Sequence, residues 1–488
     1  MNVQLKDFKA RAFSATLLSF ANIAGSQLVR FAGNLLLTRL LFPEAFGLLS
    51  IVMVLLYGVT MLSDIGIRDS IVRSSRGDDD DFLDTAWTLQ VIRGGILFVA
   101  CWALAYPFAW FFGNDELASL IQICSVSVVL QGFNPVKEMN LDRHLKLGRV
   151  VILQLGSQVA GLIVMILLAW RYHEPWALAV GNVFGAFFQL FAARSFLPGR
   201  NGRFLLDAAA RKEITGYGRW IVVSSALTFA AASSDRLIIG RLSGLEFLGV
   251  YGIAVALAET PSKTLVTLSN RVVFPLYSRI LAEGGSLVSQ FERVRGPLLI
   301  GGAAISSLLM AAGGPLVGLL YDERYTAAGG LVLVLGLAGW IRILSSTNEC
   351  ALKALGFPQA LAAGTFARVC CLMVFFPLAV HLMGVEKGVW LLVVADVLAA
   401  LVTSYFVVVK FRITTWWVAL PSTVWVILSV IAGTSAAHHF SHSNGGRLLV
   451  AVLVTGTLWS IPLWRALRAI ARLRAGAGRG ASPSAVGA

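Results

Sequence analysis

The sequence predicts an all-α, polytopic membrane protein with about 14 transmembrane helices, built from two related halves. Composition, the number of long apolar runs and an internal repeat carry that prediction. Apolar residues make up 57% of the 488 and charged residues only 14%, with a mean hydropathy of +0.76. A soluble protein of this length carries about 25% charged residues. An apolar helix needs about 20 residues to cross the hydrocarbon core. Runs of that kind fall near 14–37, 45–66, 86–110, 117–135, 150–170, 176–196, 218–240, 247–270, 297–320, 327–347, 360–382, 387–409, 416–437 and 447–464. A closed β-barrel also spans membranes, but its strands alternate apolar and polar residues, and Ile51-Val52-Met53-Val54-Leu55-Leu56 does not alternate.

The repeat is the pattern R-L-x-x-x-E-x-x-G. It occurs at Arg39, Leu40, Glu44 and Gly47 and again at Arg241, Leu242, Glu246 and Gly249, with a constant offset of 202 residues. Each copy joins two apolar spans. Related halves in a membrane protein point to a transporter that rocks one half against the other.

The net charge of +14 follows topology, not nucleic-acid binding. With the N-terminus placed in the cytoplasm, cytoplasmic segments hold 29 Lys and Arg and the opposite loops hold 6. The positive-inside rule then puts both termini in the cytoplasm. Lys6, Lys9 and Arg11 precede an apolar run as in a signal peptide, but Ser19, Asn22, Ser26, Gln27, Arg30 and Asn34 within it mark a retained first helix. Five scattered cysteines give no disulfide framework, and the Gly/Ala/Ser-rich tail is expected to be disordered. The short loops leave no room for a soluble catalytic domain.

Polar groups inside the spans carry the functional expectations. Ser19, Asn22, Ser26, Arg30 and Asn34 share one face of the first helix. The neutral members read as interhelical glue and Arg30 as a cavity-lining residue. Ser225, Thr228, Asp235 and Arg236 mark the seventh span; adjacent Asp235 and Arg236 do not form a simple mutual pair. In the eighth span Glu259 and Lys263 form an i,i+4 pair in the favourable orientation, with Pro261 between them removing a backbone hydrogen bond. That arrangement suits a hinge.

Arg93 lies in the third span, Asp64 ends the second, and Arg368 near the end of its span reads as snorkelling. Asp396 is flanked by Val393, Val394 and Val397, so it requires a partner or a proton and becomes a coupling candidate. The excess of Arg30 and Arg93 over Asp64 in the first half favours an anionic substrate.

Other clusters read as structural. Asp78 to Asp81 with Asp84 form a solvated helix start favoured by the helix dipole. His438, His439 and His442 fall in an exterior loop without carboxylates, so no metal site is expected. Gly181 and Gly185 mark close helix packing. No Walker A, H-E-x-x-H or G-x-S-x-G pattern occurs; no catalytic residue and no cofactor are expected.

Several segments together resemble bacterial polysaccharide flippases. They are Arg39 to Gly47, Ser234 to Leu242, Leu248-Gly249-Val250-Tyr251 followed by Pro261, Phe274 to Arg279, and Trp87 to Gly94. The chain is similar to the Wzx-type lipid-linked oligosaccharide flippases of the multidrug/oligosaccharidyl-lipid/polysaccharide (MOP) exporter superfamily over about residues 10–410. The resemblance implies six-helix lobes at 1–205 and 206–412 around a central cavity, two additional helices at 413–466 and a cytoplasmic tail at 467–488. It also implies a sugar repeat unit on undecaprenyl pyrophosphate as substrate, moved from the cytoplasmic to the periplasmic leaflet of the inner membrane. The bilayer, a polysaccharide polymerase and export machinery are the implied partners, and nucleic acid is not one.

Arginine suits a diphosphate because guanidinium makes forked, charge-assisted bonds to its oxygens. Substrate-binding candidates are therefore Arg30, Asn34, Arg93, Arg236 and Lys263. Coupling or gating candidates are Asp64, Asp235, Glu259, Pro261 and Asp396. A drug or small-solute antiporter of the same superfamily is the alternative function, and a membrane polysaccharide polymerase is the enzyme alternative.

Overall fold

A computed structural model describes residues 2–143, 148–215 and 218–479. Among the described residues there is no strand, and the long helices follow the apolar runs. They are α1 (Asn2–Leu40), α2 (Pro43–Leu62), α3 (Asp80–Phe112), α4 (Glu116–Gly132), α5 (Gly148–Tyr172), α6 (Trp176–Phe196) and α7 (Gly218–Leu242). Then come α8 (Gly244–Leu268), α9 (Leu287–Leu320), α10 (Ala328–Ala354), α11 (Gln359–Met383), α12 (Trp390–Tyr405), α13 (Trp416–Phe440) and α14 (Asn444–Arg479).

Ten helical stretches among the described residues are long and apolar enough to cross a membrane. The other four long helices are α1, α4, α7 and α8. Of these, α4 is only 17 residues long, while α1 carries the polar stripe noted above, α7 its Asp235 and Arg236, and α8 its Glu259 and Lys263. The tail expected to be disordered is helical as far as Arg479, and its remainder lies outside the described residues. His438 and His439 belong to the last turn of α13 and not to a loop.

The chain forms two compact units, Met1–Gly252 and Ile253–Ala488. In the first, α5 packs along α6, α3 along α4, α1 along α5, and α2 along α7. The G-x-x-x-G of α6 is a contact surface: a β-carbon on Gly181 would lie 2.9 Å from Gly161 O, and one on Gly185 3.3 Å from Ser157 O. Real β-carbons essentially never come as close as the first of these, so the helices approach at backbone distance.

The sequence repeat is also a physical contact within this unit. A β-carbon on Gly47 would sit 1.8 Å from Leu245 O, and one on Gly249 would sit 1.8 Å from Pro43 O. Pro43 and Leu245 are themselves separated by the repeat offset. Each motif glycine therefore receives the backbone of the other copy, an arrangement with two-fold character. The glycine in the pattern is explained by that mutual approach.

The acidic run before α3 departs from its solvated reading. Asp79 caps the helix by accepting from Asp81 N–H at 3.3 Å. Asp84, however, is buried. It accepts from Arg203 N–H at 2.9 Å and from Arg200 Nη2 at 3.0 Å. The chain at 203–207 continues along α3 through Leu205 N–H to Thr88 and Asp207 N–H to Thr85, both 3.0 Å. Buried acceptors on the first turns of α3 thus pin the loop that follows α6. Ala210 N–H, assisted by Arg76, holds the Asp207 carboxyl below its ordinary pKa.

In the second unit α9 is central, packing against α10, α13 and α14, while α11 and α10 both pack on α12. Arg295 on α9 is 1% exposed. It pairs with Glu292 at 2.6 Å, donates to Asn348 Oδ1 at 3.0 Å and to the carbonyl of Thr415, and lies over the Phe291 ring. A buried guanidinium needs this many partners. Through them the start of α13 is tied to α9 and α10.

Candidate functional site

Two clefts with polar groups on their walls open between the helices of the first unit. One, of about 550 Å³, is lined by Arg30 and Asn34 of α1, Gln154 and Gln158 of α5, Asn182 and Gln189 of α6, and apolar Phe46 and Met53 of α2. The other, of about 340 Å³, is lined by Asp64, Gln90 and Arg93, with Asn134 and Glu138 beyond the end of α4. Gln131, Gln154 and Gln189 line both, so the clefts are contiguous. The polar stripe of α1 arises from its helical spacing, which turns Arg30 and Asn34 to the same side.

Arg93 is anchored to the end of α2. Its Nε donates to Ser63 Oγ at 3.1 Å, its Nη2 to Thr60 O at 2.5 Å, and its Nη1 lies 3.9 Å from Asp64 Oδ1. Asp64 also accepts from Gly66 N–H at 3.0 Å, where the backbone turns through positive φ. The arginine is therefore oriented by neutral acceptors, and its one carboxylate partner stands at long range. It retains positive charge toward the cleft. Arg30 is exposed.

Asp235 and Arg236 diverge on α7. Asp235 accepts a 2.5 Å hydrogen bond from the hydroxyl of buried Tyr251 on α8, whereas half-buried Arg236 lines neither cleft.

In the second unit the intramembrane charges form a chain over four helices. Lys263 Nζ lies 2.7 Å from Glu259 Oε2, and Glu259 Oε1 lies 2.8 Å from Arg342 Nη1. Arg342 Nε lies 3.2 Å from Asp396 Oδ2, and Arg368 Nε lies 2.6 Å from Asp396 Oδ1. The Asp396 side chain is 2% exposed and that of Lys263 is 61% exposed. The chain thus runs from buried α12 outward through α10 to α8, with α11 closing its inner end. Pro261 sits between the two α8 members, and α8 stays helical through it before a π-helical turn at Ser269–Val273.

Two expectations change here. Arg368 does not snorkel: the buried Asp396 carboxylate offers it a charge-assisted bond inside the protein. Arg342, which the count of 29 cytoplasmic Lys and Arg includes, lies within α10, which continues to Ala354. Ser345, Ser346, Thr347 and Asn348 after Arg342 are weak helix formers, so propensity gave no sign that the helix extends further.

Among the described residues no group of three or more His, Cys, Asp or Glu is arranged to hold a metal ion. The arrangement offers hydrogen-bonding and cationic surfaces for a polar ligand in one unit and closed ion pairs in the other.

Known proteins show where this architecture recurs. The chain is 22% identical over 305 residues to the teichuronic acid biosynthesis protein TuaB of Bacillus subtilis, covering 60% of this chain and 61% of that protein. It is 23% identical over 319 residues to the lipopolysaccharide biosynthesis protein WzxC of Escherichia coli, covering 63% and 62%. The chain therefore spans less than two thirds of these relatives' length. Among solved structures, the lipid II flippase MurJ in its inward closed conformation superposes with a TM-score of 0.73 at 13% identity, covering 93% of this chain and 99% of that one; this likeness establishes the fold. A polysaccharide biosynthesis protein family model matches residues 36–329, most of the chain, and the protein belongs to that family.

Proposed function

We propose that the protein is a flippase for polyprenyl-diphosphate-linked oligosaccharides, moving repeat units from the cytoplasmic to the periplasmic leaflet for surface polysaccharide assembly. The observation that carries this reading is the pair of contiguous clefts between apolar helices, with polar groups, Arg30 and Arg93 among them, on their walls. A lipid tail stays in the bilayer while a hydrated head needs such a polar route, because unpaired polar groups are costly in hydrocarbon. The two arginines match the diphosphate. WzxC and TuaB are named for polysaccharide biosynthesis and MurJ for lipid flipping, which supports the same substrate class.

In this reading the protein is a transporter of the inner membrane and not an enzyme. It works by alternating access with six-helix lobes at 1–205 and 206–412, the helices of 413–466 as an addition, and both termini in the cytoplasm. Opening on the side of the repeated motif would separate the backbones that meet at Gly47 and Gly249. Lys263 and Arg236 are held for contact with the head in other states of the cycle. Asp235, Glu259 and Asp396 are held for gating.

Purified protein in proteoliposomes should flip an undecaprenyl-diphosphate oligosaccharide and leave a fluorescent drug cation untransported. Drug transport without lipid flipping would favour the antiporter reading. Single cysteines at Asn201 and Ser443 should be shielded from, and open to, an impermeant thiol reagent outside the cell; the reverse would overturn the orientation.

A further inference from the structure

Side-chain amides dominate the polar lining of the two clefts, and they fall into two groups. Gln154 is locked, accepting from Asn22 Nδ2 at 2.9 Å and donating to Glu138 Oε1 at 2.8 Å. Gln90 donates to the carbonyls of Gln131, Gly132 and Asn134 at 3.0–3.1 Å. The side chains of Asn34, Gln131, Asn182 and Gln189, by contrast, have no hydrogen-bond or ionic partner among the described residues.

A ligand that fills the cleft must supply donors and acceptors to the open amides or leave them unsatisfied, which is costly, so these groups specify what should meet them. A diphosphate is acceptor-only and cannot satisfy a carbonyl oxygen; an acyl chain offers no donor at all. A sugar hydroxyl both donates and accepts, and an amide presents an acceptor and two donors side by side to match it. Amides also bind without fixed charge, which leaves the head free to depart.

We propose that Asn34, Gln131, Asn182 and Gln189 form a glycan subsite for neutral hexose hydroxyls, distinct from the arginines that face the diphosphate. It rests on the flippase reading and assigns the sugar to the amides. Locked Gln154 and Gln90 are positioning residues that fix the cleft wall from which the open amides project.

The test is equilibrium binding of two lipids to the purified full chain: bare undecaprenyl diphosphate, and the same lipid carrying a neutral hexose trisaccharide. The native protein is expected to bind the sugar-bearing lipid at least about tenfold more tightly, about one net hydrogen bond's worth. Gln131→Met with Gln189→Met, which keeps side-chain length and removes the amides, should abolish that advantage and leave affinity for the bare lipid unchanged. Retained bare-lipid affinity also reports correct folding. If the double variant does not fold, Asn182→Leu alone is read in the same way, with a partial loss of the advantage expected. No preference in the native protein, an undiminished preference in the variants, or an equal loss for both lipids overturns the subsite while leaving the flippase reading intact. A native protein that binds neither lipid overturns both.

Discussion

The two units handle intramembrane polarity in opposite ways. In the first, the clefts are walled by neutral amides that are partly unpartnered, and Arg93 is steadied mainly by a hydroxyl and a carbonyl. In the second, Lys263, Glu259, Arg342, Asp396 and Arg368 close on one another in sequence. The contrast teaches that polar residues in apolar helices have two distinct uses. Groups left open can receive a ligand, whereas groups already paired hold helices in register and resist separation.

The largest effect that would sharpen this contrast is expected at Asp396. Asp396→Asn leaves Arg342 and Arg368 without their shared carboxylate. Removing one partner of a buried pair costs about 3–5 kcal/mol, so thermal unfolding of the purified variant should drop clearly, and Arg368→Gln in the same chain should recover part of the loss. A variant that melts like the native protein but no longer transports would leave Asp396 its gating role alone, without a holding role, and the contrast between the units would fail.

Arg30→Gln is expected to act on transport and not on stability, and Arg93→Gln, which also loses its bonds to Ser63 and Thr60, on both. Loss of a hydrogen bond to a charged group is worth about 1.5–3 kcal/mol, or roughly ten- to hundredfold in binding. Arg93→Lys should recover only part, because a point charge lacks the guanidinium fork. Flipping at the native rate by both Gln variants, normalised to folded protein, would remove the cationic wall from the first unit's role.

The smallest effect is expected from Pro261→Ala. The proline interrupts the backbone ladder of α8 between Glu259 and Lys263. If this helix bends during the cycle, the variant should insert normally and flip several-fold more slowly, as other hinge changes do. An unchanged rate would make the proline a packing feature.

Local features of the second unit were readable from the chain where the interaction was local. Glu259 and Lys263 are one helical turn apart, so their pairing follows from spacing. The need of Asp396 for a partner was equally plain from its valine neighbours, but its partners were not. Arg342 and Arg368 lie on other helices, and no periodicity relates them to Asp396. Arg342 was further hidden because α10 continues to Ala354, past the apolar run at 327–347.

The sequence by itself determined the class, the helices and the repeat, because hydrocarbon thickness and the cost of buried polarity act residue by residue along the chain. It also marked the α1 stripe, since one helix face is a matter of spacing alone. Only the tertiary structure decided which polar groups are paired and which stay open. Partnership depends on which helices pack together, and that choice brought Asp84 to the 203–207 segment, Arg368 to Asp396, and left Gln131 and Gln189 facing the clefts. The repeated glycine stands between these cases: its place was written in the sequence, and its reason, a backbone of the other copy pressed against it, appeared only in the fold.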